Sequence, residues 1–428
     1  MLSKVVFNNS KIGWFKINKR ELNRNFNFLG VEAHALNENE YINNYKALDA
    51  SSLKMDEVYS GVSLYKVCIY SICNDLMLFK NEINLDLHKE VIFKWYSVAK
   101  KMIDNLTVLF NTHTFSLVVV INGHSLLDAC LLSFAKKKNV PFLSLEGTSN
   151  SKKNVWDAIT GKVITYNLSR KYFKDYQNKI KKEEVVTYIS NFKNTIFDYK
   201  KEEHLSNEIN TEVPFNTPFV LFLGQVYTDA AQLFSLKDDF DSPISVIETV
   251  IDTCKKLRMP LLIKLHPKEN SGISPVIAKP YNLPTYKRVK KYENEHVFID
   301  YQNTYNTFNL IAHSQAVITV NSQAGLEACI YDKPVLTYKN SFYSKTPFTY
   351  DYQDKKTLES QLVFVLNNKI LNNRDLEAAQ QFFFIFFEKY CIENTTRGFL
   401  RKVLEVGSFN LLVKFKFLAL QAKEALRK

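Results

Sequence analysis

Residues 115–148 read FSLVVVINGHSLLDACLLSFAKKKNVPFLSLEGT, and this stretch decides the fold class. Phe115–Asn122 is a continuous apolar run of strand length, which is typical of a strand buried on both faces of a parallel sheet. Ser125–Lys138 predicts a helix whose lysine-rich end suits the helix dipole. Val140–Leu145 predicts the next strand. The stretch is therefore one strand–helix–strand unit of an α/β protein.

A second series of alternating strands and helices follows a proline-containing linker at Thr211–Pro218. Its periodicity predicts strands at Phe219–Leu223, Pro260–Leu265, Val297–Asp300, Ala316–Val320 and Pro334–Tyr338, and helices at Ile244–Arg258, Tyr305–Ser314 and Ser322–Tyr331. Residues 1–110 are mixed and partly helical in pattern, with a helix at Val91–Phe110. From Lys356 the pattern is helical, with an interruption near Asn394–Gly398. We predict two facing Rossmann-like domains, 1–213 and 214–390, and a helical tail at 391–428.

Composition narrows the class of protein. The chain has 428 residues, 46% of them hydrophobic and 23% charged, which fits a folded protein of two to three domains and excludes a disordered one. The six cysteines are scattered without a CxxC pair, so we expect reduced thiols and no metal site. The start lacks a signal-peptide pattern, and the apolar runs fall short of the ~20 residues of a membrane span. We therefore expect a cytoplasmic protein.

The chain carries a formal net charge of +12. Such a surface attracts anions, although a lysine-rich composition accounts for the charge equally well. The basic run at 287–291 has no interleaved aromatic residues beyond Tyr286 and Tyr292, so we predict no nucleic-acid partner.

The polar residues that follow predicted strands are the candidates for a site, because ligands of parallel sheets bind at the carboxyl ends of strands. One such cluster is KLHPK at 264–268. Strand alternation places Lys264 and His266 on one side, and Lys268 adds charge in the turn. This arrangement suits a nucleotide phosphate. The alternative is a histidine that is simply hydrogen-bonded in a turn.

A second cluster, NSQAGLEA at 321–328, joins a strand to a helix. Ser322 predicts the N-cap, and the backbone N–H groups of a helix N-terminus form a phosphate site. Gly325 permits close approach of backbone or ligand. Simple capping by Ser322 is the alternative interpretation.

Two further loops carry polar residues at strand ends. GQVYTD at 224–229 follows the first strand of the second series and offers Gln225 and Asp229. In the first half, Glu146 ends a strand, where its carboxylate could act as general base or nucleophile. Asp128 and His124 flank the preceding turn. An ordinary loop and a solvated surface glutamate are the alternatives.

The series GQVYTD, KLHPKE and NSQAGLEACIYDKPVLTYKNSFY resembles the bacterial capsule polysaccharide synthesis family, over roughly residues 115–150 and 219–400. That family includes transferases of Kdo (3-deoxy-D-manno-octulosonic acid), which use a CMP-activated donor and have a GT-B fold. Bacterial sialyltransferases have a similar plan, with an acidic motif, an HP motif and a serine motif. On that plan Glu146, His266-Pro267 and Ser322 match the three motifs, and the acidic motif here holds one carboxylate.

The resemblance implies a GT-B-like glycosyltransferase with an acceptor-side domain at 1–213 and a nucleotide-sugar-binding domain at 214–390. It would move a sugar, Kdo above all, from a CMP-sugar to a glycan or glycolipid acceptor, without a metal or other cofactor. The implied site has Glu146 and His266 as catalytic residues, Lys264, His266, Lys268, Asn321, Ser322, Gln323, Gly325, Glu327 and Gln225 as donor-binding residues, and Asp229, Asp128 and His124 as acceptor or secondary residues. Two alternatives stay open: a teichoic-acid-type transferase that uses a CDP-polyol, and a non-catalytic scaffold in a capsule complex.

The end of the chain, FNLLVKFKFLALQAKEALRK at 409–428, has an amphipathic pattern. Helical spacing places Leu411, Leu412, Phe415, Leu418, Ala422 and Leu426 on one face. Lysines and an arginine surround that face. The pattern predicts a helix that lies on the anionic inner face of a membrane. The alternative is a closing helix packed on the first domain.

Overall fold

The structure is a computed structural model that describes residues 3–9, 16–43, 54–163, 167–204, 212–274, 276–368 and 373–425. The chain divides into two compact units. The first unit comprises Met1–Leu76, Ile83–Ile164 and Cys391–Lys428, and the second comprises Met77–Glu82 and Thr165–Tyr390.

The first unit begins with two α/β repeats. Its elements are β1 (Ser3–Asn8), α1 (Lys19–Leu29), β2 (Val31–Leu36), α2 (Glu38–Asn43), β3 (Val58–Tyr59), β4 (Val62–Ser63), α3 (Leu64–Leu76), α4 (Lys89–Thr112), β5 (Leu117–Ile121), α5 (Leu126–Lys137), β6 (Phe142–Gly147) and β7 (Lys153–Asp157). The five residues of β5 are all buried, as the apolar run predicts. The predicted unit β5–α5–β6 is confirmed, with β5 and β6 parallel.

The second unit continues the alternation. Its elements are α6 (Asn167–Tyr176), α7 (Lys182–His204), β8 (Phe219–Leu223), α8 (Ala230–Ser235), α9 (Pro243–Lys256), β9 (Leu261–Lys264), α10 (Pro267–Ser271), α11 (Pro284–Val289), β10 (Val297–Asp300), α12 (Thr307–His313), β11 (Ser314–Thr319), α13 (Gln323–Ile330), β12 (Val335–Tyr338), β13 (Thr349–Tyr352), α14 (Lys355–Asn368) and α15 (Asn373–Ile385). A 3-10 turn at Lys80–Glu82 also belongs to it.

The chain then returns to the first unit with β14 (Ile392–Glu393), α16 (Thr396–Val406) and α17 (Leu411–Ala425). The tail is therefore not wholly helical, because β14 pairs antiparallel with β7 at the sheet edge. The completed first sheet has the order β14-β7-β6-β5-β1-β2, in which β6, β5, β1 and β2 are parallel.

The second sheet has the order β10-β9-β8-β11-β12-β13, and all its strands are parallel. Counted within the unit this is 3-2-1-4-5-6, the strand order of the Rossmann fold. The strand order reverses between β8 and β11, which makes their carboxyl ends the switch point where such sheets bind ligands. The predicted α/β class with two Rossmann-like sheets is confirmed.

The two units divide at Thr165, earlier in the chain than the boundary predicted at 213/214. The reason lies in α6, which is bonded to the loop after β12. Ser169 Oγ donates to the Phe342 carbonyl at 2.9 Å, and Arg170 donates to the Ser341 carbonyl at 2.8 Å. These buried contacts attach α6 to the second unit.

Candidate functional site

The switch point of the second sheet is held together by amide side chains. Gln225, two residues after β8, accepts the backbone N–H of Asn321 on its Oε1 at 2.9 Å. Asn321, two residues after β11, accepts the N–H of Phe342 on its Oδ1 at 2.9 Å. Thr319 Oγ1 donates to the Leu223 carbonyl at 2.9 Å. Gln225 and Asn321, which are both predicted site residues, thus fix the loop after β11 to the loops after β8 and β12.

Ser322 is the N-cap of α13, as predicted. Its hydroxyl accepts the N–H of Ala324 at 3.3 Å, and Gln323 is the first residue of the helix. Gly325 permits the close approach of another group, but that group is a side chain of the protein. A Cβ on Gly325 would lie 2.1 Å from the hydroxyl of Tyr343, which donates to the Ser322 carbonyl at 2.9 Å. The glycine therefore admits Tyr343 beneath the helix start, which positions the N-terminal turn.

His266 is the N-cap of α10, the short helix after β9. Its Nδ1 accepts the N–H of Lys268 at 3.1 Å, so in the neutral ring Nε2 carries the proton. The hydrogen-bonded turn considered as the alternative is thus present for Nδ1. Lys268 is exposed, and its charge acts on Asp229.

Lys264 departs from its prediction. Its ammonium is buried and lies 2.7 Å from Asp300 Oδ2, and it also donates to the Tyr305 carbonyl at 2.8 Å. Moving the lysine away from Asp300 would leave an uncompensated buried charge, so the Lys264 ammonium is committed to this pair. Lys264 therefore joins β9 to β10 instead of extending toward a phosphate.

Glu327 also departs from its prediction, because it is buried inside α13 with only 1% of its surface exposed. Asp229 is the N-cap of α8 and accepts the N–H of Ala231 at 2.7 Å. Burial raises the pKa of the Asp229 carboxyl, and the Ala231 N–H and the charge of Lys268 oppose that rise. The Asp229 carboxyl thus caps the helix that it precedes.

Glu269, which is not among the predicted site residues, is fully buried. Its Oε1 accepts the N–H of Tyr227 and the hydroxyl of Thr285, each at 2.7 Å, and its Oε2 accepts the N–H of Thr285 at 3.1 Å. Burial raises the pKa of Glu269 to about 7 against the effect of these donors. Glu269 thus ties the loop after β8 to the helix that begins at His266.

The phenol of Tyr227 extends this network to the segment inserted from the first half of the chain. Its hydroxyl donates to Glu82 Oε2 at 2.7 Å, and Arg288 binds Glu82 Oε1 through Nε at 3.2 Å and Nη2 at 3.1 Å. The Arg288 guanidinium also lies 4.3 Å from the centre of the Tyr227 ring. No local sequence signal predicts these contacts, because Glu82 is distant in the chain.

The first sheet has its own switch point, between β1 and β5. Asn8, the last residue of β1, donates through Nδ2 to Asp128 Oδ1 at 3.0 Å, and both side chains are buried. His124 is also buried beside this turn, 5.9 Å from Tyr70 between ring centres. Glu146 lies one strand further along the same edge, near the end of β6, and is partly exposed.

All six cysteines are buried thiols. Among the residues that the structure describes, no group of three or more His, Cys, Asp or Glu side chains is arranged to hold a metal ion. Among the described helices, none combines the length and apolarity needed to cross a bilayer.

A parallel sheet with the Rossmann strand order, and with hydrogen-bonded polar loops at its switch point, places this unit in the class of Rossmann-like α/β folds. The family model for capsule polysaccharide biosynthesis proteins matches residues 152–362, just under half of the chain. This segment includes GQVYTD, KLHPKE and the motif that begins at Asn321, and it excludes Glu146. The predicted resemblance to the capsule polysaccharide synthesis family is confirmed. No curated protein is significantly similar to the chain.

The solved structures that are similar to the chain have low sequence identity to it. The β-Kdo 2,4-transferase of KpsC from Thermosulfurimonas dismutans is 17% identical, with 65% of this chain and 81% of that chain covered and a TM-score of 0.46. The β-Kdo 2,7-transferase of the same protein is 15% identical, with 68% and 81% covered and a TM-score of 0.37. The UDP-GlcNAc 2-epimerase of Methanocaldococcus jannaschii is 12% identical, with 88% and 98% covered and a TM-score of 0.32.

Proposed function

We propose that the protein is a glycosyltransferase of capsule or surface polysaccharide synthesis that uses a CMP-sugar, CMP-Kdo above all. One observation carries the proposal: single side chains bond the three motif loops together at the switch point of a Rossmann-ordered sheet. Gln225 bonds the loop after β8 to the loop after β11, and Glu269 bonds it to the loop after β9. Polar side chains that only contact solvent do not form hydrogen bonds that link separate loops.

The proposed donor site uses three features of this edge. The Nε2 proton of His266 and the ammonium of Lys268 supply positive charge or hydrogen bonds to a phosphate. The N-terminal turn of α13, capped by Ser322, adds backbone N–H groups and the positive end of the helix dipole. Together they would stabilise the negative charge that develops on a departing CMP. This role requires no metal or other cofactor, and Lys264 supports it by holding β9 against β10.

The proposed catalytic carboxylate is Glu146 of the first unit. It is partly exposed at the carboxyl edge of its sheet, as a group that meets substrate must be. Asp128 is a weaker candidate, because it is fully buried against Asn8. In the proposed reaction Glu146 either takes the proton of an acceptor hydroxyl or attacks the anomeric carbon.

The proposed acceptor is a glycan or glycolipid, and peripheral association with the inner face of a membrane belongs to the same proposal. A lipid-linked acceptor is presented at that surface, so an enzyme that acts on it gains from being held there.

A thermal-shift panel with CMP, CDP, UDP and GDP tests the donor. A ligand that binds the folded state stabilises it by about 2.7 kcal/mol at 100 times its Kd, and we expect CMP to do so. Gln225→Ala should reduce the CMP shift, whereas the matched control Gln302→Ala, on an exposed glutamine of the same unit, should not.

Other outcomes of this panel contradict the proposal in distinct ways. A shift with CDP and none with CMP would favour the CDP-polyol transferase. A shift with UDP or GDP alone would assign a different donor. No shift with any nucleotide would favour the non-catalytic scaffold.

A further inference from the structure

The last helix of the first unit, α17, exposes its apolar stripe to solvent. Leu411, Leu412, Phe415 and Leu418 are 73%, 63%, 66% and 58% exposed. The face that packs on the protein is the opposite one, where Val413 and Phe417 are buried. These four residues form the apolar face that the sequence pattern predicts, but it is not the surface by which the helix packs on the first unit. Leu426 and the side chain of Ala422, the other two residues of the predicted face, lie outside the described part of the chain.

The geometry of α17 sorts its residues into two faces. Successive residues of a helix are about 100° apart, so Leu418, Leu411, Phe415, Ala419 and Leu412 occupy an arc of roughly 120°. Lys414 lies at one edge of this arc and Lys416 at the other. An apolar stripe with a positive charge at each edge is the pattern of a helix that lies in the interface of an anionic bilayer.

Helix α1, which packs against α17, carries further positive charge. The buried face of α17 packs against α1, and Lys416 Nζ lies beside Gly30 at the end of that helix. Lys19, Arg20 and Arg24 of α1 are exposed. Because α17 is anchored through Val413 and Phe417, its stripe can meet a membrane without unfolding the unit.

We propose that the exposed stripe of α17 docks the protein on an anionic phospholipid surface. The leucine and phenylalanine side chains enter the acyl boundary, and Lys414 and Lys416 lie at the level of the phosphate groups. This inference deepens the proposed function by naming the surface and the lipid charge. It rests on that function for the membrane setting alone, and not on the identity of the donor.

A second copy of the chain is the competing occupant, and two features disfavour it. The stripe consists of five residues, whereas each partner in a stable complex contributes roughly 20–30 residues and about 800 Å². A two-fold dimer through the stripe would also bring the lysines of both copies close together. Lipid phosphates, in contrast, complement those lysines.

Sedimentation with vesicles tests the proposal. We expect the full chain to bind vesicles of equal parts phosphatidylglycerol and phosphatidylcholine, and to bind less as salt is raised. The double variant Phe415→Ser and Leu418→Ser should lose at least ~10-fold in binding, because two large apolar side chains no longer enter the bilayer. Lys414→Gln should lose about 5-fold on the anionic vesicles and little on pure phosphatidylcholine.

The matched control is Leu87→Ser with Ile159→Ser, which removes two exposed apolar side chains elsewhere in the first unit. It should bind like the wild type. Equal binding by the wild type and the α17 double variant, or no binding by the wild type at low salt, would overturn the proposal. So would a dimer in light scattering that the double variant dissociates. The shift in melting temperature that CMP causes is measured on the same double variant. Failure of the CMP assignment would leave vesicle binding unchanged, so the two proposals can fail separately.

Discussion

The switch points of the two sheets are built differently, although both lie at the carboxyl ends of parallel strands. In the second unit the amide side chains of Gln225 and Asn321 bond the backbone of neighbouring loops. In the first unit the polar groups of Asn8 and Asp128 bond each other in the interior. The Asn8–Asp128 pair of the first unit stabilises the fold, whereas Gln225 and Asn321 of the second unit fix the backbone of the loops at the switch point. Polar residues at strand ends thus separate into two kinds, which substitutions can distinguish.

The largest expected effect is on turnover, from Glu146→Gln. This change keeps the size of the side chain and removes the proposed base or nucleophile. We expect turnover to fall at least ~100-fold, the low end of what a positioned acid–base group contributes. CMP binding should be nearly unchanged, because the proposed nucleotide site lies wholly in the second unit. Glu393→Gln, at the edge of the same sheet, is the control.

Turnover above about a tenth of the wild-type value in Glu146→Gln would exclude Glu146 as the catalytic carboxylate. Asp229 would then be the next residue to test, and Asp128 the one after it. Both have structural roles in the fold, so their variants need a stability measurement beside the assay.

The second largest effect is the pH dependence of stability that Glu269 contributes. Its pKa rises from 4.5 to about 7 on folding, so between these values the folded state holds more protons than the unfolded state. The free energy of unfolding must therefore fall as pH rises through this window, by roughly 3 kcal/mol. Urea unfolding of the wild type and Glu269→Gln at several pH values measures the difference. Parallel pH profiles for the two proteins would contradict the assignment.

Much of the fold could be predicted from sequence, because buried parallel strands are continuous apolar runs. Phe219–Leu223 and Val297–Asp300 have the predicted bounds. The strand Ser3–Asn8 was missed because its apolar part is short and is followed by asparagine. Its parallel partners β2 and β5 make it a central strand, and such pairing between distant segments is not encoded in local pattern.

The site was harder to predict than the fold, because sequence shows which residues end a strand but not what they bond. The strand ends at Lys264, two residues before His266, and Asp300 on the neighbouring strand binds the lysine. Glu269 could not be selected, since an acidic residue in the first turn of a helix is common and its burial depends on Tyr227 and Thr285. Long-range partners therefore decide which polar groups serve the fold.

A third effect tests the internal pair of the first unit. Asp128→Ala removes the acceptor of the buried hydrogen bond that the Asn8 amide donates. We expect the free energy of unfolding to fall by about 2–3 kcal/mol, with no change in CMP affinity of the folded protein. Chemical unfolding and CMP titration on the same variant measure both quantities. Weakened CMP binding at unchanged stability would place Asp128 in the nucleotide site. The two switch points would then not differ in the way described above.

The smallest effect concerns His266, and it needs two variants because the residue has two roles. His266→Ala removes both the Nδ1 acceptor that caps α10 and the proposed Nε2 contact to the donor. Loss of a cap costs about 1 kcal/mol of stability, and loss of a charged hydrogen-bond partner costs ~1–3 kcal/mol of donor binding. His266→Asn offers an oxygen that caps equally well but lacks the Nε2 proton. We expect the alanine variant to lose stability and CMP affinity, and the asparagine variant to lose CMP affinity alone. If His266→Asn binds CMP and transfers sugar like the wild type, His266 serves the turn and the phosphate must be held by Lys268 and the N-terminus of α13.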